Sequence, residues 1–257
     1  MGLPSLNLDG RIGFVTGTGS GLGRAISIGM AQAGADVALS ELPDRLESAR
    51  ETAREIEKLG RRAFVVPLDV TRLPQIQESV DAVTGHFGRI DILVNNAGVN
   101  IPRLAVDVTE AEWDKVMAID LKGVFFTTQA VAKKALIPQG SGKVVTIASQ
   151  MGVVGYLYRS AYCSAKAGVV NLSRVLAFEW AKHGITVNCV APTFIDTPLT
   201  RPMFENKEFY NDVISRIPMG RLGTPEDVVG AVVYLSSPAA DLVTGHTLLV
   251  DGGWTAV

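Results

Sequence analysis

Tyr162 and Lys166 stand four residues apart in a segment, Ser160 to Lys182, whose apolar spacing predicts a helix. Residues at that spacing share one helical face, so the phenol and the ammonium can converge. A phenol with an unperturbed pKa of about 10 is a poor base at neutral pH, but a neighbouring ammonium stabilises its phenolate. Such a pair can exchange a proton with a hydroxyl or carbonyl oxygen. Ser149, at the predicted end of a strand ahead of this helix, supplies a hydroxyl able to hydrogen-bond the same oxygen. A tyrosine and lysine at this spacing are common on helix surfaces, so their meaning depends on the residues around them.

The second constellation lies near the N-terminus. A β-branched run leads straight into Thr16-Gly17-Thr18-Gly19-Ser20-Gly21-Leu22-Gly23 and then a helical pattern. Glycines in a strand-to-helix turn permit tight geometry, let the backbone approach a pyrophosphate, and leave helix N–H groups free for anionic oxygens. The next strand ends in Leu39-Ser40-Glu41-Leu42. A carboxylate at Glu41 can accept both ribose hydroxyl hydrogens of an adenosine and repels a 2′-phosphate, which predicts NAD rather than NADP, although Arg45 stands close by. Leu68-Asp69-Val70 and Asn95-Asn96-Ala97-Gly98 close the third and fourth strands, where open α/β sheets bind ligands.

These groups need a scaffold that brings strand ends together, and the hydrophobic pattern supplies one. Apolar runs at 12–16, 36–40, 63–67, 90–94, 143–148, 186–190 and 247–250 alternate with amphipathic stretches at 22–33, 46–59 and 75–87, two segments ending near Ala135, 160–182, and one starting near Pro225 with Thr224 as its N-cap. Strands apolar on both faces and separated by helices imply a parallel sheet covered on each side. The expected fold is α/β: a single Rossmann-like domain, residues 1–257, with a doubly wound parallel sheet of seven strands. The stretch 192–221 has no sustained period and is expected to be a substrate loop.

Composition narrows the partners. Nearly half of the 257 residues are hydrophobic, 19% are charged and the net charge is −2, so the basic footprint of a nucleic-acid binder is missing and a small-molecule ligand is expected. Cys163 and Cys189 fall in no CxxC or Cys/His cluster, and His86, His183 and His246 have no ligand spacing, so no metal site and no disulfide framework are expected. Neither a signal sequence nor a membrane-length apolar run is present, and the expected location is the cytoplasm, away from membranes.

With these motifs together, the chain resembles the short-chain dehydrogenase/reductase family over essentially its whole length. The matched positions are Thr16 to Gly23, Asp69, Asn95 to Gly98, Ser149, Tyr162-Cys163-Ser164-Ala165-Lys166, Asn188 with Pro192, and Val250-Asp251-Gly252-Gly253. The resemblance implies Tyr162 as general acid/base, Lys166 as ligand of the nicotinamide ribose that lowers the tyrosine pKa, and Ser149 as the group that orients substrate. It implies cofactor contacts from Gly17, Gly19, Ser20, Gly21, Leu22, Gly23, Glu41, Leu42, Asp69, Val70, Asn96, Ala97, Gly98, Tyr162, Lys166, Pro192, Ile195 and Thr197, and assembly as a homotetramer. Two positions depart from the family pattern. Asp120 stands where the family has an asparagine thought to hold a relay water beside the lysine, and Thr193 replaces a glycine after Pro192. Substrate contacts are expected from Asn100, Arg103, Gln150, Tyr156, Arg159 and Thr193, with Arg201 nearby, a set offering hydrogen bonds and carboxylate partners. An NAD-linked member with such a pocket is similar to the sugar, polyol and sugar-acid dehydrogenases. A 3-oxoacyl thioester reductase using NADPH is the nearest alternative, and a non-catalytic cofactor-binding regulator is the alternative from another class.

Overall fold

The computed structural model describes residues 5–198 and 200–256. Among the described residues seven strands form one sheet: β1 Ile12–Thr16, β2 Asp36–Glu41, β3 Ala63–Pro67, β4 Ile92–Asn95, β5 Gly142–Ile147, β6 Ile185–Pro192 and β7 Thr247–Val250. Every pairing is parallel, in the order β3-β2-β1-β4-β5-β6-β7. The order reverses direction between β1 and β4, which opens a crevice at the carboxyl ends of these strands.

The helices are α1 Gly21–Gln32, α2 Leu46–Lys58, α3 Leu73–Phe87, α4 Glu110–Met117, α5 Val124–Val131, α6 Ile137–Gln139, α7 Ser160–Trp180, α8 Lys207–Ser215 and α9 Pro225–Ser236. Successive strand residues point to opposite faces, so each strand feeds two cores. Val15, Val37 and Leu39 pack with Ile26 and Met30 of α1 and Val228, Val232 and Leu235 of α9. Phe14, Ala38 and Leu93 pack on the other side with Ile76, Val80 and Val83 of α3, Val131 of α5 and Leu176 of α7. All eight residues of β6 are buried because both of its edges are paired as well as both faces.

Several boundaries differ from the periodicity. β4 starts at Ile92 because the buried Asp91 carboxylate takes the Ile12 N–H (2.9 Å) and turns the chain into the sheet. The helical rod after β4 continues to Gln139 through π-helical turns at Ala118–Gly123 and Ala132–Leu136. The described part of 192–221 holds more regular structure than expected. It contains a 3-10 turn at Arg201–Glu205 and then α8, which Asn206 caps by accepting the Glu208 and Phe209 N–H groups at 3.0 and 3.1 Å. Val213 and Ile217 bury against Phe194 and Trp254, a contact with distant chain that local periodicity cannot show.

Thr224 caps α9 as expected. Its side chain accepts the Asp227 N–H at 3.4 Å, and Asp227 takes the Thr224 N–H at 2.7 Å, a reciprocal capping box. We expect Thr224→Ala to cost about 1 kcal/mol, read as a lower urea midpoint at unchanged slope; an unchanged midpoint would show that Pro225 and the Asp227–Arg221 pair suffice to start the helix.

Candidate active site

The crevice is built first by backbone. Gly17 has φ +70°, a region costly for residues with a Cβ, and its N–H donates to Ser40 O at 2.9 Å, tying the turn to β2. A Cβ on Gly23 would stand 2.0 Å from Gly17 O, so the loop closes only around glycine. The Asn96 amide donates to Thr16 O and Gly17 O at 2.9 and 3.0 Å, while Thr16 Oγ1 accepts the N–H groups of Asn96 and Ala97, each at 3.0 Å. Asn96 and Ala97 therefore lock the end of β4 to the glycine turn. Ser20 precedes α1 without capping it by its side chain, and the first turn of α1, which includes Leu22, has no acidic residue, which leaves its N–H groups to an anion such as a pyrophosphate.

Glu41 ends β2 at the rim of this cradle. One carboxylate oxygen accepts the Gly19 N–H at 2.8 Å and the other accepts Leu42 N–H at 3.0 Å. A Cβ at Gly19 would lie 2.1 Å from Ser48 Oγ and 2.9 Å from the Glu41 carboxylate. Asp69 uses one carboxylate oxygen for the Thr71 N–H and hydroxyl (2.9 and 2.7 Å), and Val70 packs where Gly123 has no side chain. On the far side, Thr197 lies 3.7 Å from the place of a Gly21 Cβ, so the chain after Pro192 returns to the glycine turn, with Ile195 bridged to Gly223. The residues present fit an adenine dinucleotide: free helix N–H groups for the phosphates, a carboxylate for the ribose, and close backbone approach between them.

The chemical end lies where β4, β5 and β6 stop side by side. Lys166, buried, donates to Ile147 O at 2.9 Å and stands 3.2 Å from Asp120 Oδ2, with its ammonium 5.5 Å from the centroid of the Tyr162 ring. Asp120 is buried in the first π-helical turn, and its other oxygen accepts the Val99 N–H at 2.8 Å. Its carboxyl is raised by burial, which Lys166 and the Val99 N–H oppose. Burial pulls the Lys166 ammonium down, but the charges of Asp120 and Tyr162 outweigh it and the net shift is upward. Tyr162 is raised by burial of its phenol; Lys166 acts against this, Asp120 reinforces it, and the Ser149 hydroxyl lowers it. Ser149 also accepts the Met151 N–H at 3.1 Å, which fixes its hydroxyl at the end of β5. A Cβ on Gly98 would stand 3.0 Å from Asp120 and 3.6 Å from Lys166 Nζ, so glycine keeps this approach open.

The residues expected around a substrate separate into two groups. Arg103 is ion-paired with Glu112 on α4, and Arg201 is paired with Asp196 at 2.7 Å. Tyr156 donates its hydroxyl to Asp212 of α8 at 2.7 Å, and its phenol is raised by burial and by that carboxylate. These three have partners elsewhere, and Tyr156 fastens α8 instead of offering a free hydroxyl. Asn100 Oδ1, both polar atoms of the Gln150 amide, Arg159 Nε and Thr193 Oγ1 are buried without a partner. Sequence reasoning missed Thr16, whose hydroxyl organises the β4 end, and Thr200, which accepts the Thr197 N–H at 3.0 Å. The first was discernible as the residue opening the glycine run; the second had no signal in the sequence. Among the described residues no cluster of His, Cys, Asp or Glu could hold a metal ion, and no helix is long and apolar enough to cross a membrane.

Comparison with known proteins matches residues 17–255 to the family model described as Enoyl-(Acyl carrier protein) reductase. The chain is 38% identical over 254 residues to a 2-dehydro-3-deoxy-D-gluconate 5-dehydrogenase of Escherichia coli, covering 99% of both chains. It is 38% identical over 248 residues to a 3-oxoacyl-[acyl-carrier-protein] reductase of Thermotoga maritima, covering 96% of this chain and 99% of that protein. The crystal structure of a gluconate 5-dehydrogenase from Burkholderia cenocepacia, in complex with NADP and tartrate, superposes with a TM-score of 0.93 at 34% identity, covering 98% of each chain.

Because Asp120 places negative charge beside Lys166, it offsets the ammonium's stabilisation of a Tyr162 phenolate. We expect Asp120→Asn to lower the Tyr162 pKa, so that the acid limb of a reaction using that phenolate moves to lower pH while turnover is retained. A pH–rate profile, with tyrosinate absorbance as a second readout, measures this. A limb that stays in place would show that the carboxylate charge does not reach Tyr162, and complete loss of turnover would show that it takes part in the chemistry.

Proposed function

The chain belongs to the short-chain dehydrogenase/reductase family, which includes dehydrogenases acting on CH–OH groups, and on that premise we propose that it oxidises a secondary hydroxyl of a sugar, polyol or sugar acid, or reduces the matching ketone, with NAD(H). The observation that carries this reading is the buried Lys166 ammonium, held between Ile147 O and Asp120 and beside the Tyr162 ring at the ends of three adjacent strands. In the direction of oxidation, Ser149 orients the substrate hydroxyl and the Tyr162 phenolate accepts its proton. Lys166 stabilises that phenolate and holds the nicotinamide ribose, and Asp120 positions Lys166. Bound NAD supplies the acceptor for the hydride that leaves the carbinol carbon. In the reverse direction Tyr162 returns the proton to the carbonyl oxygen.

Cofactor choice is not inherited from the family: three similar solved structures carry NADP, whereas one relative is named an NAD-dependent glycerol dehydrogenase. In this chain we rest it on Glu41, whose carboxylate accepts the Gly19 N–H at the rim of the glycine turn and would suit two ribose hydroxyls better than a phosphate. The same residue weighs against an NADPH-linked 3-oxoacyl thioester reductase. A non-catalytic regulator would have no need of Ser149, Tyr162 and Lys166 in one place. We further take the protein to act as a homotetramer in the cytoplasm. Val175 and Phe178 support the assembly: both are exposed on α7, Phe178 at 88%, and leave an apolar strip for a second copy to cover.

Tyr162→Phe should abolish turnover, by a factor of about a thousand or more, while dissociation constants for NAD stay within a few-fold; activity near the parent's would remove the base assignment. Lys166→Ala should impair both turnover and cofactor affinity. With one accepted substrate, the unmodified protein should favour NAD over NADP in kcat/KM, and Glu41→Ser should lower NAD use and raise NADP use only in part, because no cation is added. A parent enzyme that prefers NADP would overturn the reading of Glu41 and favour the thioester reductase.

A further inference from the structure

Arg159 is 3% exposed, and it is the one arginine among the described residues that is buried. Arginine is almost never buried without a paired anion, because desolvating a lone guanidinium costs several kcal/mol. Here Nη1 donates only to the neutral Tyr158 carbonyl at 3.3 Å, and Nε has no partner. The titratable groups that feel its charge are Tyr156, Tyr162 and Cys163, all neutral at pH 7 in their unperturbed forms. Burial accordingly lowers its affinity for a proton. The side chain stands at the start of α7, three residues before Tyr162, and Tyr158 ahead of it is the single described non-glycine residue with positive φ. The 99–103 segment is bound to this turn through Arg103 N–H to Tyr158 O at 3.0 Å.

We propose that Arg159 is the receptor for a carboxylate of the substrate, so that this enzyme acts on hydroxy acids in preference to neutral polyols. This deepens, and rests on, the reading of the site as an alcohol dehydrogenase. A carboxylate fits the fork of a guanidinium and cancels its single charge, whereas a phosphate dianion would leave net charge in a buried place. The arginines that could have shared the task are already paired, Arg103 with Glu112 and Arg201 with Asp196. The substrate chain beyond the carboxylate is polyhydroxylated, because Gln150, 1% exposed with neither amide atom paired, and Thr193, with an unpartnered hydroxyl, stand at the neighbouring strand ends. Groups of that kind are costly to bury until hydroxyls pair with them.

The test compares four- to six-carbon aldonates with the matching alditols, each pair differing only in carboxylate against hydroxymethyl, using the full enzyme with NAD. The parent should favour at least one acid over its alditol by about a hundred-fold in kcat/KM. Arg159→Gln should erase most of that ratio, mainly through KM, and Arg159→Lys should restore part of it. A loss of about a hundred-fold is what truncating one side of a buried charge pair produces. Arg159→Lys, which keeps the charge, also serves should the glutamine variant fail to fold, and then a KM for the acid unchanged by the lysine would overturn the proposal. Equal use of acids and alditols by the parent, or a ratio untouched in Arg159→Gln, would overturn it as well. Binding of D-gluconate and the other aldonates to Tyr162→Phe enzyme, followed by tryptophan fluorescence, separates the two readings. If nothing is turned over by the parent, the dehydrogenase reading fails. Arg159-dependent aldonate binding in the Tyr162→Phe background still supports the receptor, and binding that is absent or indifferent to Arg159→Gln refutes it.

Discussion

A lysine ammonium buried at the carboxyl end of a parallel sheet is the constraint around which this protein is arranged. Removing that charge from water costs several kcal/mol unless carbonyls and an anion replace the solvent. The fold supplies both, Ile147 O at 2.9 Å from the end of β5 and Asp120 at 3.2 Å from a π-helical turn. Asp120 can reach inward because the π turn interrupts the α-helical register between α4 and α5, and its second oxygen is held by the Val99 N–H. Gly98 is required at the same place, since a Cβ there would press on the carboxylate. One buried charge thus ties β4, β5, α7 and the α4–α5 rod to a common geometry, and Tyr162 inherits its position from it. The carboxylate also weakens the electrostatic support that a lone ammonium would give the phenolate.

The cofactor crevice depends on a different economy. Glycines there leave out atoms, and the neighbouring side chains fill the gaps with hydrogen bonds: Asn96 to the Thr16 and Gly17 carbonyls, Thr16 to the N–H groups that end β4, Glu41 to Gly19. Two elements that a ligand would span are therefore braced against each other. Across the mouth, α8 is fixed by Tyr156 to Asp212, by Arg216 over the Tyr156 and Trp254 rings, and by the packing of Phe194, Phe204, Phe209 and Trp254. An aromatic cluster of this kind lines the substrate side with apolar surface, and apolar surroundings strengthen electrostatic interactions. The buried Arg159 guanidinium, within reach of Tyr156 and Tyr162, interacts with an anion more strongly than an exposed arginine would, and this is the environment in which a single arginine can select for an acid.

Much of the architecture was legible in the chain. Strands buried on both faces read as continuous apolar runs, and β1, β3 and β7 fall where those runs lie. The glycine run, Glu41 at a strand end and the Tyr162–Lys166 spacing depend on local geometry, so their arrangement could be stated before any tertiary contact was known. The boundaries that moved, the start of β4, the length of β6 and the ordered α8, are those set by Asp91, by pairing on both edges, and by packing against Trp254. None of these is local in sequence.

The substrate side divides along the same line. Residue types and spacing determined the seven-stranded parallel fold, the glycine turn between β1 and α1, and a tyrosine and a lysine four residues apart on one helix, because periodicity, turn chemistry and helical register act over a few residues. They left three arginines and a tyrosine as equivalent substrate contacts. Only the tertiary structure decided among them, giving Arg103 to Glu112, Arg201 to Asp196 and Tyr156 to Asp212, and leaving Arg159 buried without an anion. Which charges neutralise each other depends on distances of a few ångströms between segments that the chain itself keeps apart, and that is settled only when the sheet brings its strand ends together.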